Sequence, residues 1–262
     1  MANTHEFDTL MSNLKISWIL IAKLIFVSPL LVTIFYGCIN IEDNESLTSA
    51  NNTSTPVPTS TPISVESILD QSATIMSELD SFSFSLEHKG GVGTKLDDLL
   101  LVTAEGKIES PNSLDIEVNL LLGTLPFQTR IISKGQISYI QNPLNDKWEK
   151  MEQSLNPLAY FDPETGIKSL LSGISDSSMG TESTKTQYEI RGTISANSLD
   201  SFVGITVDDQ VSLKLLINKS SNYLDVVHIY GRIQPSDVSE IVRKLTIYEH
   251  NEPAYIKLPG LD

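Results

Sequence analysis

Residues 113–122, Ser-Leu-Asp-Ile-Glu-Val-Asn-Leu-Leu-Leu, set Leu114, Ile116, Val118 and Leu120 in alternation with Asp115, Glu117 and Asn119. Successive side chains of a strand point to opposite faces, so this stretch reads as a strand with one face buried and the other in water. Residues 211–217 repeat the pattern: Val211, Leu213, Leu215 and Ile217 share one parity, with Ser212 and Lys214 between them. Phe82, Phe84 and Leu86 alternate with serines and Glu87, while residues 127–132, 137–140 and 226–233 follow the rule less strictly. The span from Val238 to Tyr248 also reads as strand, which brings the expected count to about ten. Turn signals at Gly90-Gly91, Pro111-Asn112, Lys134-Gly135, Asn142-Pro143 and Pro235-Ser236 separate the strands at hairpin spacing. That spacing favours an antiparallel meander over parallel crossovers.

The segment before Phe82 runs at a different period. Val65, Ile68, Leu69, Ser72, Ile75, Met76 and Leu79 recur at three- and four-residue steps, forming the apolar stripe of an amphipathic helix. Ser64 stands at its N-cap, and Ile63 and Ile68 are spaced for a hydrophobic staple. A second helix is predicted from Asp162-Pro163-Glu164-Thr165-Gly166-Ile167-Lys168-Ser169-Leu170-Leu171-Ser172-Gly173. It has a capping Asp, Pro at the first helical position, an acidic first turn and a terminal Gly. A short third helix is expected around 198–203. The fold class is therefore α+β: one large antiparallel sheet with a few helices packed against one face.

The 262-residue chain is 40% apolar, enough to fill a core, and carries 18 basic against 33 acidic residues for a net charge of -15. Such a charge repels phosphate backbones, so nucleic acid is not an expected partner. Cys38 is the one cysteine, which excludes an internal disulfide and any multi-cysteine metal site.

Cys38 follows the apolar run Ile16–Tyr36, ISWILIAKLIFVSPLLVTIFY, which is broken by Lys23. Its uncharged part, Leu24–Gly37, falls short of the roughly 20 residues of a spanning helix, contains Pro29, and suits the apolar region of a signal peptide. Gly37-Cys38 resembles a bacterial lipobox, where a diacylglycerol joins the thiol and the chain is cut before the cysteine. Phe35 and Tyr36 are bulkier than that pattern normally carries. An uncleaved signal anchor is the alternative, and Met11 offers a second start. The expected organisation is a signal peptide over 1–37, lipidated Cys38 with a Ser/Thr/Pro tether over 38–62, and one domain over 63–262. Both topologies hold the domain at the extracytoplasmic face of the cell membrane. Because Glu6 and Asp8 offset Lys15 and Lys23, removing 1–37 leaves the charge at -15. The tether, residues 39–62, is dominated by Ser, Thr, Asn and Pro, is expected to be disordered, and as a coil spans on the order of 27 Å.

Catalytic chemistry is not legible. His5, His88, His228 and His250 show no metal-ligand spacing. Gly173-Ile174-Ser175-Asp176-Ser177 begins like a nucleophile elbow but lacks the second glycine. Gly90, Gly91 and Gly93 fit neither a dinucleotide fingerprint nor a P-loop, and Asp97-Asp98 and Asp208-Asp209 read as solvated loop charges. Asp162 and Glu164 are accounted for by helix capping. No catalytic residue, metal or cofactor is assigned, and the chain is not expected to be an enzyme. What remains is shape: bulky inward aliphatics on a curved sheet line a pocket or fill a core, and alternation alone does not choose. The candidate lining is Leu114, Ile116, Val118 and Leu120, Val211, Leu213, Leu215 and Ile217, with Ile167, Leu170 and Leu171 from the second helix. A fatty chain suits such a lining, since each buried methylene contributes ~0.8 kcal/mol without any charged anchor.

The order of these features resembles the LppX/LprAFG lipoprotein family. The resemblance is carried by Cys38, the tether, ILDQSATIMSELDSFSFSLE, the strand pair around Gly106 to Val118, and Tyr139 followed by Trp148. Further along it is carried by Asp162-Pro163-x-x-Gly166-Ile167-x-x-Leu170-Leu171, YEIRGTI and the closing YIKLP, so that it covers residues 63–262. It implies a half-barrel sheet like that of the carriers LolA and LolB, helices across the concave face, and a cavity for a lipid or glycolipid. It further implies a monomeric protein on an acyl anchor such as palmitate that carries or presents lipid, with a membrane lipid exporter as a candidate partner. An envelope sensor or interaction domain of the same fold, without transport, is the alternative.

Overall fold

The computed structural model of the protein describes residues 63–96, 98–151 and 166–260, all within one compact unit over 63–262. Helix α1 spans Val65–Ser77, and the Ser64 hydroxyl caps it by accepting from the Ser67 N–H at 3.1 Å. Ile68, Leu69, Ser72, Ala73 and Met76 form its buried stripe, as the period requires, while Ile63 stays 58% exposed and forms no staple. The strands are β1 (Ser81–Lys89), β2 (Thr94–Leu96), β3 (Leu99–Glu109), β4 (Ser113–Leu122), β5 (Leu125–Lys134), β6 (Ile137–Gln141) and β7 (Trp148–Lys150). Helix α2 covers Lys168–Ser172, then come β8 (Ser175–Met179), β9 (Gln187–Ser195), a 3-10 turn over Ala196–Leu199 and α3 (Asp200–Val203). β10 (Gln210–Asn218), β11 (Leu224–Tyr230) and β12 (Val242–Tyr248) complete the described residues.

These twelve strands form a single open antiparallel sheet in the order β7-β6-β5-β4-β3-β1-β12-β11-β10-β9-β8, with β2 paired to β3. The meander is interrupted once: β1 lies between β3 and β12, which joins the two halves of the chain at the middle of the sheet. The strand expected over 226–233 ends at Tyr230, and that expected from Val238 begins at Val242, because residues 231–241 form a loop instead, anchored by the buried Ile233, Gln234 and Ile241. The second helix retains its last turns, and the Gly173 N–H closes it onto the Ser169 and Leu170 carbonyls. Its expected cap and first turn, Asp162 to Thr165, lie outside the described residues.

The apolar parities of β1, β3, β4, β9, β10, β11 and β12 share one buried cluster with α1 and α2. β4 and β10 stand five strand spacings apart, about 24 Å along a flat sheet, yet both meet that cluster, so the sheet wraps around the helices. Two strand glycines allow close approaches that a Cβ would block. A Cβ on Gly106 would stand 2.3 Å from the Asp115 carbonyl oxygen, and one on Gly192 would stand 2.5 Å from the Ile174 side chain. The outer face is crossed by the chain after β12. Asn251 donates to the Ser81 carbonyl, Ser81 Oγ donates to the Glu252 carbonyl at 2.5 Å, and Lys134 Nζ reaches the Ile256 carbonyl at 3.2 Å.

Candidate functional site

Strand parity decides which side chains face inward. In the ladder, Leu114, Ile116, Val118 and Leu120 stand opposite Ile108, Gly106, Ala104 and Leu101 on β3. Across the sheet, Leu213 and Leu215 stand opposite Ile229 and Val227 on β11. All of the candidate lining residues, Val211, Ile217, Ile167, Leu170 and Leu171 included, join the same apolar cluster and are at most 8% exposed. Helices α1 and α2 lie over them, with α1 bearing Ile68, Leu69 and Met76 on the covered side. Cys38 lies outside the described residues.

The seam between α1 and the sheet is apolar but imperfectly satisfied. Ser72 Oγ is fully buried without a hydrogen-bond partner. The Leu224 N–H donates to the sulfur of Met76, at 3.4 Å. Neither contact approaches the strength of an ordinary buried hydrogen bond, so this seam costs less to open than a fully paired one.

At the edge of the inner face where β1 ends, a polar knot interrupts the apolar lining. Arg243 on β12 points inward, opposite His88 on β1 and Ile229 on β11. It grips Asp237 with two bonds of 2.8 Å, both side chains being at most 3% exposed, and its Nε donates to Thr94 Oγ1 at 3.0 Å. His88 bridges the Val102 carbonyl and Thr94 Oγ1, each at 2.8 Å. Burial lowers the pKa of His88 below its ordinary value, against the opposing pull of the Val102 carbonyl. The knot went unread in the sequence because Arg243 looks like any strand charge until the register shows which way it points.

A polar groove of about 520 Å³ opens on the outer face, lined by Asp176, Ser178, Arg191, Thr193, Lys214 and Tyr230 among others. Its cations are already paired: Arg191 with Glu189 at 2.6 Å and Lys214 with Glu182 at 2.6 Å. A paired, open and polar groove offers little to a fatty chain, and the apolar inner face is the better candidate despite its closure. Ser175, the would-be elbow serine, sits on edge strand β8 and bonds Thr193 Oγ1 at 3.0 Å rather than a base. Among the described residues no cluster of His, Cys, Asp or Glu is arranged to hold a metal ion.

An open antiparallel sheet wrapped around two helices, with its apolar parity turned inward, defines the architectural class. Among solved structures it is shared by LprF from Mycobacterium bovis, 15% identical with a TM-score of 0.59, aligned over 74% of this chain and 96% of that one. LppX from Mycobacterium tuberculosis is 20% identical with a TM-score of 0.51, over 73% of this chain and 97% of that one. A LolA-superfamily protein from Nitrosomonas europaea aligns over 75% of this chain at 14% identity with a TM-score of 0.27, and the fold assignment rests on the other two. No curated protein matches the chain. The LppX/LprAFG lipoprotein model matches residues 64–254, and the chain belongs to that family.

Proposed function

We propose that this protein is a lipid-anchored envelope lipoprotein, acylated at Cys38, that takes a lipid or glycolipid between α1, α2 and the inner face of its sheet. The observation that carries the reading is the inner face itself. Aliphatic side chains from seven strands converge there on one surface, and α1 is held over it by a seam that leaves Ser72 unpaired and sets the Met76 sulfur against the Leu224 N–H. Family membership supports the same reading. In this scheme α1 and α2 act as a lid: displaced from the sheet, they expose Leu114, Ile116, Val118 and Leu120 on one side and Val211, Leu213, Leu215 and Ile217 on the other. An acyl chain entering between them replaces side-chain contacts with equivalent apolar ones, so the exchange costs little. The tether keeps the domain near the outer face of the membrane, where it carries lipid away or presents it, working as a monomer and with a membrane lipid exporter as partner.

The test is mass spectrometry of organic extracts from the purified 63–262 domain. Stoichiometric recovery of one lipid class is expected. Repeated preparations free of lipid, and failure of the domain to take up a fluorescent fatty acid or phospholipid, would remove the carrier reading.

A further inference from the structure

The two ends of the sheet differ in a way the lipid-binding face does not explain. At the end where β1, β4, β6, β9 and β11 finish, Val92, Leu144, Ile205 and Val238 stand on four separate loops, with Leu125 at the first residue of β5 beside them, and all five are 48–80% exposed. At the opposite end, the loops at 110–112, 135–136, 180–186 and 219–222 contain no Val, Ile, Leu or Met. Single exposed aliphatics are common on protein surfaces, and Ile137 and Met179 stand exposed at strand ends on the opposite side, but among the described residues the exposed aliphatics carried on loop tips between strands gather at this end.

Three of these loops are also tied into one frame. Gln234 donates to the carbonyls of Lys95 and Val203, at 2.8 and 2.7 Å, and accepts from the Lys95 N–H at 2.8 Å. Val207 donates to the Ile233 carbonyl at 2.8 Å. Asp237 accepts from the Ile233 and Gln234 N–H groups, both at 2.9 Å, while Arg243 holds Asp237 and Thr94 together. Val92, Ile205 and Val238 each lie within two residues of a member of this buried network. Ile205 follows Gly204, whose φ of +76° turns the chain at a point with nothing within 4 Å of a Cβ. The fold therefore spends buried hydrogen bonds on holding three aliphatic tips outward.

We infer that this end is a docking rim for the lipid bilayer, in which Val92, Ile205 and Val238 enter the interface between headgroups and acyl chains. The bilayer is singled out because the chain before Ile63 carries the apolar run Ile16–Tyr36, which in the reading proposed above attaches the chain to the membrane, with only residues 37–62 between that run and the domain. With a net charge of -15, the attraction comes from aliphatic burial rather than charge, so the rim docks on zwitterionic lipid and tolerates salt. The inference depends on the membrane attachment but not on the identity, or existence, of a lipid cargo.

The test uses the full chain, with Cys38→Ser, in phosphatidylcholine vesicles, where Ile16–Tyr36 remains as the attachment. An environment-sensitive fluorophore is placed in turn at Val92→Cys, Ile205→Cys, Val238→Cys and, at the other end, Ser220→Cys. Lipid-borne spin label is expected to quench the three rim positions at least about threefold more than position 220, with aqueous iodide showing the reverse. Equal iodide quenching at all four positions overturns the inference. So does a rim blue shift that follows protein concentration and not lipid, which would assign the rim to a second copy of the chain. In the second arm, Val92→Asp, Ile205→Asp and Val238→Asp together are expected to abolish the protection of a reporter at Leu125→Cys, each substitution weakening insertion about tenfold or more. An unchanged melting temperature shows that the fold survives, and retained protection in that folded variant overturns the inference. Lipid content of the same preparations reports on the cargo separately.

Discussion

Removing the Asp237 carboxylate is the sharpest test of the knot at the end of the sheet. Asp237 and Arg243 are at most 3% exposed in their side chains and joined by two bonds of 2.8 Å. Asp237→Ala leaves a guanidinium buried without its counter-charge, a situation that costs about 3–5 kcal/mol, and it also strips the Ile233 and Gln234 N–H groups of their acceptor. Arg243→Met costs less, about 2 kcal/mol, because the carboxylate keeps those two N–H donors. The double variant removes both charges together and is expected to fall short of the summed single costs by at least about 2 kcal/mol. Urea unfolding of the 63–262 domain, followed by Trp148 fluorescence and circular dichroism, measures all three. The Asp237→Ala domain should also melt about 10 °C lower. Costs that add within about 0.5 kcal/mol would refute the assignment of this pair as one electrostatic unit.

Gly106→Val should destabilise the domain by more than about 2 kcal/mol, since its Cβ would meet the Asp115 carbonyl at 2.3 Å, whereas Gly123→Ala, free of contacts but at a φ of +60°, should cost only about 1 kcal/mol of backbone strain; matched thermal melts decide this. Val118→Trp, inward and opposite the small Ala104 and Thr129, should lower lipid occupancy at a cost under about 2 kcal/mol; unchanged lipid content in the folded variant would sink its place in the lining. Burial lowers the pKa of His88, His228 and His250, and for His228 the neighbouring Lys214 and Lys244 add to the effect. The unfolded chain therefore binds protons first as pH falls below the ordinary 6.5. Stability should fall as pH drops below about 6.5, and a flat profile there would contradict the burial. Metabolic labelling with a fatty-acid probe should mark the wild type and not Cys38→Ala; equal labelling would place the anchor elsewhere.

The buried face of the sheet was legible because strand geometry has a period of two and water enforces it. Leu114 to Leu120 and Val211 to Ile217 must hide one parity, and that local rule needs no knowledge of partners. The α1 stripe and its Ser64 cap were legible for the same reason at a period of 3.6. The fold class followed from those two periods and the turn residues between them. The placing of β1 between β3 and β12 was not readable, because pairing partners far apart in sequence leave no local mark. For the same reason Arg243 could not be told from a solvated strand charge until β12 was set against β1, and the loop at 231–241 read partly as strand although Ile233 is buried there. The exposed tips at Val92, Ile205 and Val238 look like unremarkable loop residues along the chain; only the antiparallel pairing of the strands brings them to one end. Periodicity is a property of a segment and can be read along it, whereas register, inward charge and shared edges are properties of pairs of segments, which exist only once the chain has folded.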